Sequence, residues 1–558
     1  KNLAKCRECS RRMRRGVELL QNDKEAMLAF RLMNKAMFMQ QYRSNLPARR
    51  QGSEYPDEIG DGHDRVWRPF QLGFILMNLC SVGDPHDDER DLVELIWFPT
   101  GGGKTEAYLG LAAYTILLRR LRSEGAGTTV LMRYTLRLLT SQQFERAAAL
   151  ILALEAIRRD RVLDAELGEE PISIGLWVGQ SLTPNRRDQA KRELSQLQKD
   201  KHASNPFQIL QCPWCGCDFV EDTKGYKSER SAHGARTVVF RCPDSRCRFG
   251  KHEPLPVFVI DEDIYETPPT LVVGTVDKFA QITWDKRTGR LFGIGTDFAP
   301  PSMIIQDELH LISGPLGTIV GLYETAIDEL CCSGGDRPKI IASTATIRRA
   351  SEQCQALYAR ECFEFPPQGT RAGESYFAFE DLEAPGRLYV GFLGSALTSH
   401  QTALVRACSP LLQFPCRIDP EDDAAAKVAD PYGTLVWYFN TLRELGHAAT
   451  LCVGDIPEYL KQLCRNDGIP PSERRKLYDP AELTSRRTAD EIPRILKQLE
   501  VPWKVGAHSP SPVDILLATN MIAVGVDVPR LGLMVVSGQP KGTSEYIQAT
   551  SRVGRRHP

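Results

Sequence analysis

Residues 93–109 read Val-Glu-Leu-Ile-Trp-Phe-Pro-Thr-Gly-Gly-Gly-Lys-Thr-Glu-Ala-Tyr-Leu. The apolar first part predicts a strand from Leu92 to Phe98, and the residues after the glycines predict a helix from Thr105 to Arg120. Glycines at 101–103 allow backbone N–H groups to face phosphate oxygens at the positive N-terminus of that helix. The strand, the glycine loop and the helix therefore predict a nucleotide phosphate site in an α/β fold.

Each residue type in this loop suggests a part in holding ATP. The ammonium group of Lys104 would lie near the outer phosphates, and the hydroxyl of Thr105 is a ligand for Mg²⁺. The full pattern of phosphate-binding loops has Gly six residues before that Lys, whereas Phe98 stands there in this chain. We therefore predict that ATP and Mg²⁺ are held by Thr100, Gly101, Gly102, Gly103, Lys104 and Thr105.

Two acidic residues follow a second apolar run. Asp307 and Glu308 come directly after residues 303–305, at the carboxyl end of a predicted strand, where open α/β sheets bind ligands. Asp307 is placed to bind Mg²⁺ through water, and Glu308 is the candidate base that activates the attacking water. Acidic pairs are also common on protein surfaces, but together with Lys104 this pair predicts ATP hydrolysis.

Strands and helices alternate along most of the chain, which implies parallel sheets covered by helices. Strands of a first unit are predicted at 92–98, 128–133, 172–178, 270–274, 302–306 and 339–343. Strands of a second unit are predicted at 388–392, 434–439, 513–518 and 531–537. The second unit carries Ala-Thr-Asn-Met at 518–521, Gly-Val-Asp at 525–527 and Gln-Ala-Thr-Ser-Arg-Val-Gly-Arg at 548–555.

These motifs and their order resemble those of superfamily 2 helicases, and residues 98–109, 307–314 and 548–555 resemble the helicase family of DISARM phage-defence systems. The resemblance extends from about residue 66 to the end. It implies two RecA-like parallel-sheet lobes, hydrolysis of ATP with Mg²⁺, and DNA, single-stranded or with a single-stranded overhang, as the substrate. It also implies a partner subunit with a DUF1998 region. An ATP-gated DNA clamp that does not unwind, and an RNA helicase, are the alternatives.

The resemblance also implies roles for single residues. Arg552 and Arg555 would reach the γ-phosphate as arginine fingers, although a surface basic cluster is the alternative. Ser343, Thr344 and Thr346 would link hydrolysis to lobe movement or cap the next helix. Phe70 and Gln71 would contact adenine, unless they are a core Phe and a solvated Gln. The predicted catalytic residues are Lys104, Asp307, Glu308, Gln548, Arg552 and Arg555, and Gly525 and Asp527 are added to the ATP site.

Nucleic acid is expected to lie across both lobes. Hydroxyls, amides and an occasional cation there would contact phosphates rather than bases, although Thr and Arg at helix starts also serve as caps and surface charge. By the resemblance, the predicted contacts are Arg137, Thr140, Gln142, Thr275, Lys278, Thr519 and Asn520.

An insertion at 195–258 holds paired cysteines. Cys212 and Cys215 form one pair, and Cys242 and Cys247 form another after a stretch that suits the hairpin of a zinc ribbon. Two thiolate pairs close a tetrahedral site, so structural zinc is predicted. An iron-sulfur cluster is the competitor, and Cys217 is a spare or alternative ligand.

Composition and charge bear on the location of the protein and on the role of its N-terminal segment. No apolar run approaches the roughly 18 residues that a membrane span needs, and no signal or transit peptide is visible, so a cytoplasmic protein is expected. Residues 1–50 carry 13 Lys and Arg against 4 Asp and Glu, which suits phosphate, an acidic partner or a solvated helix face. The predicted organisation is a basic helical segment at 1–64, a first lobe at 65–361, a linker at 362–385 and a second lobe at 386–558 that lacks a closing element.

Overall fold

The computed structural model divides the chain into two compact units, Lys1–Glu380 and Asp381–Pro558. Side chains of residues 137–139, 141, 142, 315, 423, 493 and 544 are not described. The model describes residues 1–44, 46–56, 66–98, 102–135, 137–180, 182–200, 203–231, 233–250, 253–332, 335–344, 349–371, 373–381, 383–384, 386–397, 399–418, 422–487, 491–504, 512–522 and 528–555.

The first unit is built from helices packed on a parallel sheet. Its helices are α1 (Asn2–Asn22), α2 (Lys24–Arg43), α3 (Pro69–Gly83), α4 (Lys104–Leu121), α5 (Arg137–Arg159), α6 (Arg187–Lys199), α7 (Asp261–Glu266), α8 (Gly314–Cys331) and α9 (Ala350–Tyr358). Its strands are β1 (Val93–Trp97), β2 (Val130–Tyr134), β3 (Ile174–Trp177), β4 (Tyr226–Arg230), β5 (Arg236–Phe240), β6 (Val257–Phe258), β7 (Leu271–Thr275), β8 (Met303–Gln306), β9 (Lys339–Thr344) and β10 (Cys362–Phe365).

Among the described residues, the strands of this sheet are ordered β10-β1-β9-β8-β2-β7-β3-β6, all parallel. Most of these strands are apolar and buried, as expected where helices cover both faces of a parallel sheet. In the register of the sheet, Trp97 of β1 lies opposite Thr344 of β9, and Gln306 of β8 lies opposite Ala342. The carboxyl ends of β1, β9 and β8 therefore meet at one edge, which positions the candidate site.

In the part of the chain that the structure describes, the second unit has its own parallel sheet, ordered β12 (Ala481–Leu483), β13 (Ile515–Ala518), β11 (Leu435–Phe439) and β14 (Leu533–Ser537). With the parallel sheet of the first unit, it confirms the predicted fold class of two RecA-like lobes. Its elements are α10 (His400–Gln413), α11 (Asp423–Ala429), β11 (Leu435–Phe439), α12 (Leu442–Val453), α13 (Asp455–Asn466), β12 (Ala481–Leu483), α14 (Glu491–Leu499), β13 (Ile515–Ala518), β14 (Leu533–Ser537) and α15 (Thr543–Thr550).

The segment around the predicted linker differs from the sequence-based expectation. Residues 362–365 form β10, which pairs with β1, although the sequence assigned them to the linker. A four-residue edge strand followed by Pro366 gives too short a pattern to recognise. Conversely, the prediction of a strand at 388–392 is wrong, because these residues belong to none of the strands of the structure, and Leu388 is 88% exposed. An apolar run alone does not show whether a neighbouring strand is present.

The basic N-terminal segment packs against the first sheet. From Val17 to Tyr42 the alternation of Leu, Met and Phe with charged residues predicts one amphipathic helix. The structure instead has two helices, α1 and α2, and the carboxylate of Asp23 between them accepts hydrogen bonds from the N–H groups at the start of α2. Cys9, Arg12, Gly16 and Leu20 form the buried face of α1. The sequence did not predict the start of α1, because Lys and Arg residues at 5–15 interrupt the apolar pattern of its buried face.

Arg12 is the centre of a buried charge cluster. Its guanidinium group donates to Glu94 at 2.5 and 3.2 Å and to Glu89 at 2.8 Å, and its side chain is fully buried. Lys339 on β9 is 2.9 Å from the same carboxylate of Glu94. Arg11 also pairs with Glu89. The acidic partner of these arginines is thus the protein itself, rather than a nucleic acid.

We expect Arg12→Ala to lower the free energy of unfolding of the first unit by about 3–5 kcal/mol, because breaking a buried pair leaves an uncompensated charge. Denaturant unfolding followed by circular dichroism measures this change. Arg14→Ala is the matched control, because Arg14 is exposed on the same helix and its loss is expected to cost about 0.5 kcal/mol or less. Equal losses in both variants would contradict the buried-cluster interpretation.

Among the described residues, no helix combines the length and the hydrophobicity that a membrane crossing needs.

Candidate functional site

The glycine loop connects β1 to the N-terminus of α4. Gly103 caps this helix with φ +90°, a left-handed conformation that favours glycine. A Cβ at this position would also lie 2.6 Å from Nε2 of Gln71. Lys104 Nζ donates a 2.8 Å hydrogen bond to the carbonyl of Phe98. The side chain of Lys104 therefore points back towards the residue that follows β1. The predicted ligands Thr100 and Gly101 lie outside the described residues.

Two side chains at the N-terminus of α3 hold the carbonyl groups of Gly102 and Gly103. Arg68 Nη1 donates to the carbonyl of Gly102 at 2.7 Å, and Gln71 Nε2 donates to that of Gly103 at 2.7 Å. In a trans peptide the C=O and N–H groups point in opposite directions. Anchoring these two carbonyls therefore turns the N–H groups of Gly103 and Lys104 to the opposite side of their peptide units.

The predicted adenine contacts have internal partners. Phe70 is 2% exposed and stacks on Phe98 with ring centroids 3.9 Å apart. The carboxamide oxygen of Gln71 accepts a hydrogen bond from the backbone N–H of Arg68, in addition to the bond to Gly103. One face of Phe70 is thus covered, and both polar groups of Gln71 are engaged. Adenine recognition by this pair stays a prediction, and the structure gives both residues a role in supporting the loop.

Asp307 lies where three predicted motifs meet. Its Oδ2 accepts a 2.9 Å hydrogen bond from the hydroxyl of Tyr108 on α4. Its Oδ1 accepts hydrogen bonds from the hydroxyl of Ser343 on β9 and, at 2.9 Å, from the N–H of Glu308. The carboxylate is therefore fixed by the helix that follows the glycine loop and by the strand that carries the predicted coupling residues.

Glu308 follows β8 in an unusual conformation. Its φ of +48° and ψ of +48° are left-handed, which is uncommon for a residue with a side chain. Its Oε2 lies 3.5 Å from Nδ1 of His310, and the same ring nitrogen is 3.1 Å from Oγ1 of Thr344. Strained backbone of this kind concentrates at functional sites. Thr346 lies outside the described residues.

In the second unit, the predicted ATP-site residues lie near α15. Gln548 is on this helix and Arg552 follows it, and both are buried. Arg555 is half-buried, and its Nε donates to the carbonyl of Ser551 at 3.1 Å. Gly525 and Asp527 lie outside the described residues.

The predicted nucleic-acid contacts differ in exposure. Asn520 is exposed, whereas Thr140, Thr275 and Thr519 are buried; the side chains of Arg137 and Gln142 are not described. Lys278 is buried as well, and its ammonium group is 2.6 Å from a carboxylate oxygen of Asp261. The structure therefore assigns Lys278 to an internal ion pair rather than to the surface.

The paired cysteines form one cluster. The sulfur atoms of Cys212, Cys215, Cys242 and Cys247 all lie within 4.8 Å of one another, with 4.0 Å between Cys212 and Cys247 and 3.5 Å between Cys215 and Cys242. Four sulfurs around a zinc ion, with bonds of about 2.3 Å, would be about 3.8 Å apart. The cluster thus fits a tetrahedral thiolate site, and Cys217 is not part of it.

The surroundings of this cluster connect it to the N-terminal segment. The antiparallel hairpin β4–β5 joins the two knuckles, as the sequence predicted. Arg49 donates to the carbonyl of Cys215 at 2.7 Å and pairs with Asp244 at 2.8 Å. Gly216 has φ +70°, and a Cβ there would be 2.7 Å from the carbonyl oxygen of Pro47. The first knuckle is therefore packed directly against the chain that follows α2.

Two residues that support the site were missed in the sequence. Arg68 precedes α3 and has no pattern that relates it to a loop more than 30 residues away. Tyr108 has a recognisable signal, because it lies three residues after Thr105 and therefore on the same face of α4.

Comparison with known proteins supports the motif-based resemblance. The model of the helicase conserved C-terminal domain matches residues 472–557. The chain is 40% identical over 603 aligned residues to the DISARM protein DrmA of Bacillus paralicheniformis, covering 99% of this chain and 52% of that protein. The chain thus spans about half the length of this relative.

Among solved structures, the DUF1998 helicase MrfA bound to DNA is 14% identical, with a TM-score of 0.45, covering 92% of this chain and 49% of that chain. The Mycobacterium smegmatis helicase Lhr bound to ssDNA and AMP-PNP is 12% identical, with a TM-score of 0.46 and coverage of 87% and 44%.

The parallel sheet in each unit, the glycine loop and the match to the helicase conserved C-terminal domain make the chain similar to helicases. More particularly, the chain is related to the DISARM protein DrmA, which confirms the resemblance inferred from its motifs.

Proposed function

We propose that the chain is the ATP-hydrolysing motor of a DNA helicase or translocase that acts in a DISARM-like phage-defence complex. The observation that carries this proposal is the pair of hydrogen bonds to Asp307. One comes from Tyr108 on α4, the helix that follows the glycine loop, and the other comes from Ser343 near the end of β9. The similarity to DISARM DrmA supports the defence role. A partner subunit with a DUF1998 region is part of the same proposal.

In the proposed reaction, backbone N–H groups of the loop and Lys104 bind the phosphates of ATP. Thr105 and Asp307 would hold Mg²⁺, which neutralises charge on the transferred phosphoryl group. Glu308 orients the attacking water and accepts its proton. Gln548, Arg552 and Arg555 of the second unit would complete the site around the γ-phosphate. Two lobes that share one ATP in this way convert hydrolysis into movement.

Nucleic acid is proposed to bind through its phosphates. Contacts of this kind carry no sequence information and weaken as salt rises, so the motor would be largely insensitive to base sequence. We retain the predicted contacts other than Lys278, because the ammonium group of Lys278 is engaged by Asp261. The proposed contacts are Arg137, Thr140, Gln142, Thr275, Thr519 and Asn520.

The cysteine cluster is proposed to hold one structural zinc ion. The thiolates of Cys212, Cys215, Cys242 and Cys247 would be its ligands, and their buried position inside the insertion leaves no open coordination site for catalysis. An iron-sulfur cluster remains the competing occupant, and metal analysis distinguishes the two.

The proposal predicts that single-stranded DNA increases ATP turnover several-fold more than RNA of the same length. Phosphate release is measured with single-stranded, duplex and overhang DNA and with RNA, in the presence and absence of a partner subunit. A fluorescent duplex with an overhang then tests strand displacement. ATP turnover without displacement would favour the ATP-gated clamp, and equal or greater stimulation by RNA would favour an RNA helicase. Turnover that no nucleic acid changes would contradict all three.

A further inference from the structure

Two buried tyrosines connect the candidate Mg²⁺ site to the start of a predicted nucleic-acid-binding segment. The hydroxyl of Tyr108 lies 2.9 Å from Oδ2 of Asp307 and 3.1 Å from Oγ1 of Thr105. It is also 3.4 Å from the hydroxyl of Tyr134. Both tyrosines are almost completely buried. A row of polar atoms therefore runs from the two predicted Mg²⁺ ligands to the end of β2.

The direction of these hydrogen bonds follows from the groups involved. An ionised carboxylate only accepts, so Tyr108 donates its single proton to Asp307. The hydroxyl of Tyr134 then donates to the oxygen of Tyr108. Burial raises the pKa of both phenols well above the usual range, and the Asp307 carboxylate adds to this shift. Both hydroxyls therefore keep their protons at neutral pH.

Tyr134 lies close in sequence and in the sheet to the two predicted nucleic-acid contact segments. It is the last residue of β2, and the predicted contacts at 137–142 follow it directly. In the sheet it lies opposite Thr275, where the second predicted contact segment begins. The carbonyl of the preceding Arg133 accepts a 3.1 Å hydrogen bond from the N–H of Asp307. A shift at the end of β2 therefore acts on Asp307 through the backbone and through the tyrosines.

We propose that Tyr108 and Tyr134 are positioning residues that couple nucleic-acid binding to the ATP site by setting the orientation of the Asp307 carboxylate. This inference rests on the proposed function. Because a buried hydroxyl that loses its partner is destabilised, the row of hydrogen bonds changes as a unit rather than bond by bond. If the two tyrosines only fill the core, removing their hydroxyls while keeping their rings leaves the coupling between the two sites unchanged.

The test removes each hydroxyl and keeps the ring. Tyr108→Phe and Tyr134→Phe are compared with Tyr114→Phe, which is a matched control on α4. Tyr114 is fully buried, and within the described part of the chain its hydroxyl has no hydrogen-bond partner. The dissociation constant of single-stranded DNA is measured without and with AMP-PNP. The value without AMP-PNP divided by the value with it reports the coupling between the two sites in the absence of turnover.

We expect each of the first two variants to reduce this ratio by about 3- to 10-fold, the equivalent of one hydrogen bond, and Tyr114→Phe to keep it. Wild-type ratios in Tyr108→Phe and Tyr134→Phe would overturn the coupling role and leave the proposed function intact. A wild-type protein that binds neither AMP-PNP nor DNA would overturn the proposed function itself. Should Tyr108→Phe fail to fold, Tyr134→Phe, which is remote from the glycine loop in sequence, decides the result.

Discussion

Replacing Glu308 by Gln is expected to lower the rate of ATP turnover by about 100- to 10,000-fold and to leave ATP binding nearly unchanged, because an amide keeps the shape of the side chain but cannot accept a proton from water. Glu308 is held in a left-handed conformation that costs about 1–3 kcal/mol, and such strain persists only where the surroundings impose it. Its backbone N–H donates to Oδ1 of Asp307, which fixes the Asp307 carboxylate relative to the backbone of Glu308. Phosphate release gives the turnover, and a fluorescent ATP analogue gives the affinity.

The matched control is Glu329→Gln, because Glu329 is exposed on α8 of the same unit. We expect its turnover to equal that of the wild type. A Glu308→Gln variant that hydrolyses ATP at the wild-type rate would remove Glu308 from the reaction, and loss of ATP binding in this variant would assign it a binding role instead.

The parts of the site that could be predicted from the sequence share one property: the informative residues are neighbours in the chain. The apolar run at β1 is followed at once by the glycines, and β8 is followed at once by Asp307. Since the carboxyl ends of parallel strands meet at one edge, these local patterns were sufficient to place the glycine loop and the carboxylates together.

The contacts that support the site could not be predicted, because their partners are far apart in sequence. Tyr108 and Asp307 are separated by 199 positions, and Arg12 and Glu94 by 82. The same residue types also occur on surfaces, so the sequence leaves open whether the basic residues at 1–50 contact phosphate, contact an acidic partner or form a solvated helix face. Burial distinguishes these alternatives, and burial depends on packing between α1 and the sheet, which no local pattern specifies.

Replacing Cys215 by Ser is expected to remove the metal from the cysteine cluster and to unfold the insertion at 195–258. Structural zinc contributes an apparent free energy of about 10–16 kcal/mol in small zinc domains, as much as the whole stability of many proteins. In the described part of the insertion, β4 and β5 form a separate two-stranded sheet, and such a hairpin is marginally stable alone. Metal analysis gives the content of zinc and iron per chain, and limited proteolysis reports unfolding of the insertion.

Cys217→Ser provides the control for this experiment. Cys217 is buried in the same knuckle, but its sulfur is not part of the four-sulfur cluster. We expect this variant to retain one metal ion per chain and to lose about 1–3 kcal/mol from burying a hydroxyl. Equal loss of metal in both variants would show that Cys217 is a ligand, and iron in the wild-type protein would identify the competing cluster.

Loss of the metal is also expected to increase the protease sensitivity of residues outside the insertion. Arg49 donates to the carbonyl of Cys215, and the guanidinium group of Arg43 lies 4.3 Å from the ring centroid of Trp214 in the first knuckle. Unfolding the knuckle removes both contacts and releases the chain after α2. Protease cleavage in Cys215→Ser should therefore appear near residues 46–56 as well as within the insertion. Cleavage confined to the insertion would show that the N-terminal segment is held by α2 alone.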